Sequence, residues 1–306
     1  MKILIELPTW LGDTVMTTPA IESIFDNFPQ FKLQLVGQKT SLEVYKNHPK
    51  IDKLFEISDK YIQYFSLARK IGNFDIFVSF RNTFRSRIFR KLIKASKKYS
   101  FNKGVLKGHQ VEQYQNLINY VMDVNLKPGK LKLYQSSNDS NYKINSPAIG
   151  FNPGASYGNA KCWQPEKFVS LGGMLDAKIN IYLLGDTSSI DINNKIETSL
   201  FQRNVTNLTG KTDISQLVGV LSKLSLLVTG DSGTMHLAAA LGVPTITLFG
   251  PTKDFETSQW MNEKSIAIKK NLPCQPCMQR ECPLKHHNCM KLIEAGEVFE
   301  SVKKFL

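Results

Sequence analysis

Short apolar runs alternate with longer stretches of helical spacing along most of the chain, and this alternation is the feature that most restricts the fold. In the first half the runs that predict strands are Ile3–Leu7, Leu33–Val36, Lys53–Ile57 and Phe74–Phe80. Stretches with helical spacing follow them at Thr14–Phe28, Ser41–His48, Ile62–Ile71, Phe84–Ala95 and Val111–Met122. This order is typical of βαβ units, in which parallel strands form a sheet that helices cover.

The same alternation begins again after a polar, turn-rich segment that includes Lys127–Gly129 and Gln135–Asn145. The second set predicts strands at Ala148–Asn152, Ile179–Leu184, Leu224–Thr229 and Thr245–Phe249, and helices at Pro165–Asp176, Ser188–Leu200, Ile214–Leu221, Gly233–Leu241 and Leu292–Phe305. The sequence therefore predicts an α/β protein with two doubly wound, Rossmann-like domains that face each other across a cleft. We place these domains at 1–146 and 147–306, and we expect the C-terminal helix to pack back on the first domain.

Positive charge is concentrated in the first half of the chain. Of the 306 residues, 1–150 contain 23 Lys and Arg against 12 Asp and Glu, whereas 151–306 contain 16 against 14. Residues 76–111 contain ten basic side chains and no acid: Arg81, Arg85, Arg87, Arg90, Lys91, Lys94, Lys97, Lys98, Lys103 and Lys107. A solvated helix face explains shorter basic runs, but ten basic side chains without a single acid favour an anionic partner. Nucleic acid, an anionic membrane surface and a phosphorylated substrate all fit at this point.

Several classes of protein are excluded. No apolar run approaches the roughly 20 residues of a membrane-spanning helix, and Ile3–Leu7 is too short for the core of a signal peptide, so we expect a cytoplasmic protein. The odd number of five cysteines favours reduced thiols over a secreted disulfide framework. Gly210–Thr212 lacks the upstream glycine of a P-loop, and no G-x-G-x-x-G fingerprint follows the first strand.

One carboxylate stands at the end of the first predicted strand. The segment Leu7–Asp13 forms a glycine-containing turn that enters a helix. Asp13 is therefore either an N-cap or first-turn acid that the helix dipole favours, or a general base at the ligand edge of the sheet. The spacing alone leaves both interpretations open.

Two loops in the second half are suited to binding an anion. The small-residue loop Asn152–Lys161 lets backbone amides approach closely and ends in a cation, although a plain βα loop has the same composition. In Thr229–His236, Ser232 is a good N-cap residue and Gly233 permits close approach, while Asp231 is able to bind a sugar hydroxyl. We give His236 a supporting role at most. Together the two loops indicate a nucleotide diphosphate.

A group of cysteines and histidines lies near the C-terminus. It consists of Cys274, Cys277, Cys282, His286, His287 and Cys289. Four thiols and two imidazoles are able to hold a tetrahedral zinc ion, but the spacings do not form a regular paired knuckle. A reduced, loop-packing cysteine cluster is the alternative, and we expect no metal.

With these residues in view, the sequence resembles the ADP-heptose:lipopolysaccharide heptosyltransferases of glycosyltransferase family 9, most closely the heptosyltransferase II branch. The resemblance rests on four segments in the same order: Leu4–Pro19, Asn152–Pro165, Thr229–Thr252 and Cys274–Met290. It implies the GT-B fold and the inverting transfer of L-glycero-D-manno-heptose from ADP-heptose onto the first heptose of the inner core. Addition of the first or third heptose, or use of another nucleotide sugar, is the alternative. A basic nucleic-acid-binding protein is a rival from another class, supported only by the basic tract, and we expect no nucleic acid partner.

The resemblance also implies roles for individual residues. It makes Asp13 the catalytic base and assigns donor binding to Asn152, Gly154, Lys161, Thr229, Asp231, Ser232, Gly233, Thr234 and His236. The reaction that the resemblance implies requires no cofactor. The implied acceptor is a phosphorylated lipid A–core molecule, and the enzyme would make peripheral contact with the cytoplasmic face of the inner membrane. Acceptor contacts by Thr14, Arg81, Arg85, Arg87 and His109 are weaker expectations, those of the arginines resting on charge. The sequence departs from the family pattern at four places: Cys162 where arginine is expected, an extra Gln164 before Pro165, Gly230 where asparagine is expected, and Glu6 where a basic residue is common.

Overall fold

A computed structural model describes residues 1–58, 60–102, 107–135 and 142–306 of the chain. The chain separates into two compact units, Met1–Ser136 (unit 1) and Ser137–Leu306 (unit 2). Our sequence-based boundary, between 146 and 147, lies further along, directly before the first strand of unit 2. Lys103 of the basic tract and 136–141 of the predicted linker lie outside the described residues.

Unit 1 contains a parallel sheet with the strand order β3-β2-β1-β4-β5 in its described part. The strands are β1 Lys2–Glu6, β2 Lys32–Gly37, β3 Lys53–Glu56, β4 Asn73–Ser79 and β5 Lys94–Ser100. The helices are α1 Leu11–Met16, α2 Thr18–Asn27, α3 Lys39–Glu43, α4 Tyr61–Lys70, α5 Phe84–Leu92 and α6 Gln110–Met122. In the central strand β1, Ile3 pairs with Leu33 on one side and Ile76 on the other, and it is fully buried. This burial explains the continuous apolar run of the strand.

Three predictions for unit 1 differ from the structure. The helix expected over Ser41–His48 begins earlier and is shorter, at Lys39–Glu43. The helix expected over Thr14–Phe28 is divided into α1 and α2, with Thr17 between them and Pro19 in the first turn of α2. The helix expected over Phe84–Ala95 ends at Leu92, and β5 follows it. The sequence analysis missed β5 because its lysines hide the apolar signal of a strand. Charged lysines are typical of an edge strand, where they prevent pairing with another chain.

Unit 2 contains a second parallel sheet, with the order β11-β10-β9-β6-β7-β8 among the described residues. Its strands are β6 Ala148–Asn152, β7 Asn180–Leu183, β8 Val205–Asn207, β9 Leu226–Gly230, β10 Thr245–Phe249 and β11 Ser265–Lys269. Its helices are α7 Pro165–Met174, α8 Ile190–Ser199, α9 Ile214–Leu221, α10 Gly233–Ala240, α11 Asp254–Thr257, α12 Asn288–Lys291 and α13 Ala295–Val302. The two strands that the sequence analysis missed, β8 and β11, form the edges of the sheet. The prediction of two Rossmann-like α/β units is confirmed.

The last helix, α13, packs in the core of unit 2. Its buried side chains Val298 and Val302 belong to the same apolar cluster as Trp163 and Phe168. The Trp163 indole donates to the carbonyl of Ile293, 3.0 Å away, just before the helix. The apolar face of α13 is thus used within unit 2, and packing of the C-terminal helix on the first domain stays a prediction. Among the described residues, no helix is long and apolar enough to span a membrane.

A buried charge pair joins the ends of β1 and β4 in unit 1. Glu6 is fully buried, and its Oε2 accepts hydrogen bonds from Ser79 (2.6 Å) and Ser86 (2.5 Å). Arg81 is 8% exposed, and its Nη1 lies 3.7 Å from Glu6 Oε1. Burial raises the pKa of Glu6, while the two serines and Arg81 act in the opposite direction. Burial of the Glu6 carboxylate is costly, and the two serine hydroxyls and the nearby Arg81 guanidinium offset part of this cost.

We predict that Arg81→Met destabilises the protein by about 3–5 kcal/mol at roughly pH 8, because it leaves the Glu6 carboxylate buried without its counter-charge. Since the pKa of Glu6 is raised in the folded state, the carboxyl group takes up a proton as the pH falls, and the loss should then become smaller. Urea unfolding of both proteins from neutral to mildly acidic pH measures this difference. A loss that stays constant with pH contradicts the assignment, and Glu6→Gln with Arg81→Met in one chain is the control that should remove the pH dependence.

Candidate functional site

The turn that follows β1 is fixed by hydrogen bonds to its own backbone. Thr14 Oγ1 lies 3.2 Å from the Pro8 carbonyl and 3.0 Å from that of Trp10, and Ser41 Oγ donates to the Pro8 carbonyl over 2.6 Å. Thr14 is fully buried. The Thr14 hydroxyl is therefore directed to the turn, and the acceptor contact expected of Thr14 stays a prediction.

Asp13 is the third residue of α1 and is half-buried. Trp10 occupies the N-cap position, so Asp13 is a first-turn acid and not the N-cap. Tyr114 of α6 donates from its hydroxyl to Asp13 Oδ1 over 3.5 Å. The prediction of a first-turn carboxylate at the carboxyl end of β1 is confirmed, and the structure adds a phenol that the sequence analysis did not identify.

The Tyr114 ring is buried among aromatic side chains next to the Asp13 carboxylate. Its buried ring packs against Phe80 and Phe101, with centroids 5.0 and 5.1 Å away. Burial, and to a smaller degree the charge of Asp13, raise the pKa of Tyr114 well above its usual range. The phenol therefore stays protonated and acts as a hydrogen-bond donor to Asp13.

The predicted acceptor residues other than Thr14 lie in different settings. Arg81 is buried against Glu6, which gives it a structural role in unit 1, and its expected acceptor contact stays a prediction. His109 is also buried, and its Nδ1 accepts from Val111 N over 3.2 Å, which caps α6 together with Glu112. Arg85 lies over the Tyr61 ring, and Arg87 is exposed. Of this set, Arg85 and Arg87 are thus the side chains that present charge at the surface.

In unit 2 the carboxyl ends of β6 and β9 bring three polar side chains together. The strands are adjacent, with Asn152 paired to Thr229. Asn152 Nδ2 donates to Thr229 Oγ1 (3.0 Å) and to Ser232 Oγ (3.1 Å). Ser232 is the N-cap of α10 and accepts from Met235 N over 3.4 Å. This network fixes the start of α10. The first backbone N–H groups of a helix have no acceptor within the helix and point out of its N-terminal end.

Lys161 lies beside this helix start and forms an ion pair with Asp231. Its Nζ is 2.8 Å from Asp231 Oδ2 and 3.2 Å from the Asp231 carbonyl, and both side chains are largely buried. The ammonium also lies 4.6 Å from the centre of the Tyr157 ring. Arg280 approaches the same ring at 5.5 Å. The structure thus brings a cation and a carboxylate to the N-terminus of α10, as the two loops suggest, and it adds Tyr157 and Arg280.

The small residues of these loops are required by close packing. A Cβ atom on Gly154 would overlap the Ser189 side chain, and one on Gly230 would lie 3.0 Å from the Lys161 carbonyl. In the first turn of α10, Gly233 is half-buried, whereas Thr234 and His236 are buried. Donor contacts by all of the residues expected at these two loops stay predictions.

The C-terminal cysteines are free thiols. Cys289 is buried, and burial together with Cys277, Cys282 and Cys274 raises its pKa to about 11. At neutral pH this residue is therefore a thiol and a weak nucleophile. Among the residues that the structure describes, no group of three or more His, Cys, Asp or Glu side chains is arranged to hold a metal ion.

A model of glycosyltransferase family 9 (heptosyltransferase) matches residues 64–288. The chain belongs to this family. The lipooligosaccharide heptosyltransferase 2 of Campylobacter jejuni subsp. jejuni serotype O:2 is 36% identical to this family 9 chain, and the match covers all of the chain and 98% of the relative. The protein is thus a glycosyltransferase, as the four ordered segments predict.

Solved structures of family 9 proteins have the same fold. The family 9 glycosyltransferase of Veillonella parvula superposes with a TM-score of 0.86 at 18% identity, over 99% of this chain and 96% of that one. The structure of E. coli ADP-heptose lps heptosyltransferase II gives a TM-score of 0.83 at 23% identity, over 100% and 98%. The predicted GT-B fold class is confirmed.

We predict that Ser232→Ala destabilises this family 9 protein by about 1–2 kcal/mol, because it removes the N-cap of α10 and a partner of Asn152. Ser222→Ala is the matched control, since the Ser222 hydroxyl donates to the Gly219 carbonyl near the end of α9 and caps no helix N-terminus, so its loss should change stability little. Thermal or urea unfolding measures both. Equal effects of the two variants would contradict the assigned role of Ser232.

Proposed function

We propose that this chain transfers L-glycero-D-manno-heptose from ADP-heptose onto the first heptose of a lipopolysaccharide or lipooligosaccharide inner core, with inversion at the anomeric carbon. The observation that carries the proposal is the full-length match to a lipooligosaccharide heptosyltransferase 2. The name of the structural relative from E. coli adds ADP-heptose as the donor of that protein. The two polar sites described above supply groups suited to this reaction.

Unit 2 binds the donor in this proposal. The amides at the start of α10 and the Lys161 ammonium attract the diphosphate of ADP-heptose. Lys161 is held by Asp231 in the described structure, so a diphosphate competes for this cation and Asp231 becomes available to a hydroxyl of the donor. As the bond between the anomeric carbon and the diphosphate breaks, these groups stabilise the charge that develops on ADP.

Unit 1 supplies the base. Asp13 removes the proton of the acceptor hydroxyl while the hydroxyl oxygen attacks the anomeric carbon and ADP leaves from the opposite side. One new carbon–oxygen bond forms, one breaks, and the proton passes to Asp13. Tyr114 keeps the carboxylate oriented for this step through its hydrogen bond to Oδ1.

No divalent cation or cofactor takes part in this mechanism, because Lys161 and the amides of α10 provide the positive charge that a metal supplies in other transferases. We therefore expect full activity in the presence of EDTA. The acceptor is a phosphorylated lipid A–core molecule, which places the enzyme at the cytoplasmic face of the inner membrane, and the exposed Arg87 is among the cations that attract its phosphates.

The experiment that tests the proposal offers purified lipid A–core acceptors with no heptose, one heptose or two heptoses, together with ADP-heptose. Mass spectrometry should show the gain of one heptose with the one-heptose acceptor and little with the other two. Transfer to the acceptor without heptose would instead identify an enzyme that adds the first heptose. Failure with all three, despite binding of ADP, would direct the search to another nucleotide sugar.

We predict that Asp13→Asn lowers kcat by about 10²–10⁴-fold with little change in ADP affinity, because the amide keeps the shape of the side chain but accepts no proton. Lys161→Ala should weaken ADP binding as well as turnover, because it removes a cation from the diphosphate site. Calorimetric titration with ADP and steady-state kinetics separate the two effects. Asp26→Asn, on the exposed side of α2, is the control, and an Asp13→Asn enzyme of normal kcat would contradict the assignment of the base.

We predict that Tyr114→Phe moves the acidic limb of the kcat/KM profile to higher pH. The phenol donates to the Asp13 carboxylate and so stabilises its charged form, and its removal makes Asp13 easier to protonate. Tyr45→Phe is the matched control, because Tyr45 is also buried and shares a 2.7 Å hydrogen bond with Thr17 but not with Asp13. The same profile in all three proteins would contradict a positioning role for Tyr114.

A further inference from the structure

Residues 274–289, which contain the C-terminal cysteines and histidines, pack against the loop that leaves β6. We call these residues the cysteine-rich segment. The Ala160 backbone N–H donates to the Arg280 carbonyl over 3.0 Å. The Tyr157 hydroxyl donates to the Met278 carbonyl over 2.7 Å. Hydrogen bonds to main-chain atoms of the segment therefore join it to the β6 loop.

Two further contacts fix the segment on this loop. His287 Nε2 lies 2.9 Å from the Ala160 carbonyl, and this nitrogen is the donor because a carbonyl only accepts. A Cβ atom on Gly158 would overlap the Arg280 carbonyl oxygen, so glycine lets the two main chains approach each other. Main-chain contacts thus set the position of Arg280, and its side chain is not needed for them.

This packing brings two cations to one aromatic ring. Lys161 Nζ lies 4.6 Å and the Arg280 guanidinium carbon 5.5 Å from the centre of the half-buried Tyr157 ring. Arg280 is exposed, and together with Tyr157 and Lys285 it lines a cavity of about 710 Å³, which is large enough for a small molecule. The Arg280 guanidinium is therefore open to a ligand that reaches Lys161.

The charge at the start of α10 explains what Arg280 adds there. Lys161 and Asp231 form an ion pair, so the two side chains together bring no net charge. The helix start contributes roughly half of an elementary positive charge. A nucleoside diphosphate carries more than one negative charge at neutral pH. A guanidinium is always protonated, and two of its N–H groups are able to donate to two oxygens of one phosphate.

We propose that Arg280 binds the diphosphate of the donor together with Lys161. Its guanidinium donates to phosphate oxygens and stabilises the negative charge that develops on ADP as it leaves. The inference rests on the proposed function for the identity of the donor. It also gives the cysteine-rich segment a role in that function, because the segment holds this arginine beside the Lys161 loop.

The test measures binding of ADP to the full chain by calorimetric titration, with inorganic pyrophosphate as a competitor. Arg280→Met removes the charge but keeps an unbranched side chain next to the Tyr157 ring, and it leaves the main-chain bond to Ala160 in place. Arg280→Lys keeps the charge and loses the paired N–H groups. Lys178→Ala is the matched control, because it removes an exposed cation directly before β7, at the edge of the sheet opposite the carboxyl ends of the strands.

We expect Arg280→Met to weaken binding of both ADP and pyrophosphate by roughly tenfold or more, because it removes charge-assisted hydrogen bonds to phosphate. Arg280→Lys should fall between this variant and the wild type, and Lys178→Ala should bind like the wild type. Raising the salt from about 0.1 M to about 1 M should weaken ADP binding more in the wild type than in Arg280→Met, since salt screens the charge that the variant lacks. The thermal unfolding midpoint of the free protein should stay the same, because the Arg280 side chain is exposed.

Unchanged binding of both ligands by Arg280→Met, or an equal loss in Lys178→Ala, would overturn the proposal. Weaker binding of ADP with unchanged binding of pyrophosphate would also overturn it, since Arg280 would then contact the nucleoside. Steady-state kinetics provide the last discrimination: a raised KM for the acceptor with unchanged ADP affinity would make Arg280 an acceptor contact instead. A wild type that binds ADP but transfers no heptose would contradict the proposed function, whereas a loss of ADP and pyrophosphate binding in Arg280→Met would still support the diphosphate contact.

Discussion

Burial of the central strands on both faces is the constraint on which the rest of this structure depends. Ile3 in unit 1 and Ile149 in unit 2 are fully buried, so helices cover both sides of each sheet. Polar chemistry is thereby restricted to the points where the strands end. Asp13 follows β1 in unit 1, and Asn152 and Asp231 follow or end strands of unit 2, so both candidate sites arise from the same geometric rule.

Two of the ion pairs, Glu6 with Arg81 and Lys161 with Asp231, differ in what they allow. Glu6 and Arg81 are enclosed, and two serines saturate one carboxylate oxygen, so this pair belongs to the framework of unit 1. Lys161 and Asp231 lie at the start of α10, where, in the proposed function, the diphosphate of the donor competes for the lysine. The enclosed Glu6–Arg81 pair stabilises one conformation of unit 1. In the proposed function, the Lys161–Asp231 pair instead positions a cation for an incoming anion. We infer that the second pair is the part of the donor site that changes on binding.

Much of this organisation could be predicted from the sequence, because local patterns carry it. The alternation of apolar runs identified the central strands, and the N-cap role of Ser232 followed from its place between a strand and a helix. Long-range contacts could not be predicted in this way. Tyr114 is 101 positions from Asp13, and no local spacing relates them. The burial of Arg81 was missed because its partner Glu6 lies on another strand, and β5 was missed because its lysines mask it.

The most direct test of the central claim is the stereochemistry of a single transfer. In the proposed reaction, a base from unit 1 and the cationic groups of unit 2 act in one displacement, without a glycosyl-enzyme intermediate. Nuclear magnetic resonance of the purified product, made from ADP-heptose and a one-heptose acceptor, reports the configuration of the new linkage. The account predicts that the anomeric configuration is inverted relative to the donor. Retention of configuration would contradict it and would require a nucleophile or a mechanism that Asp13 and Lys161 do not provide.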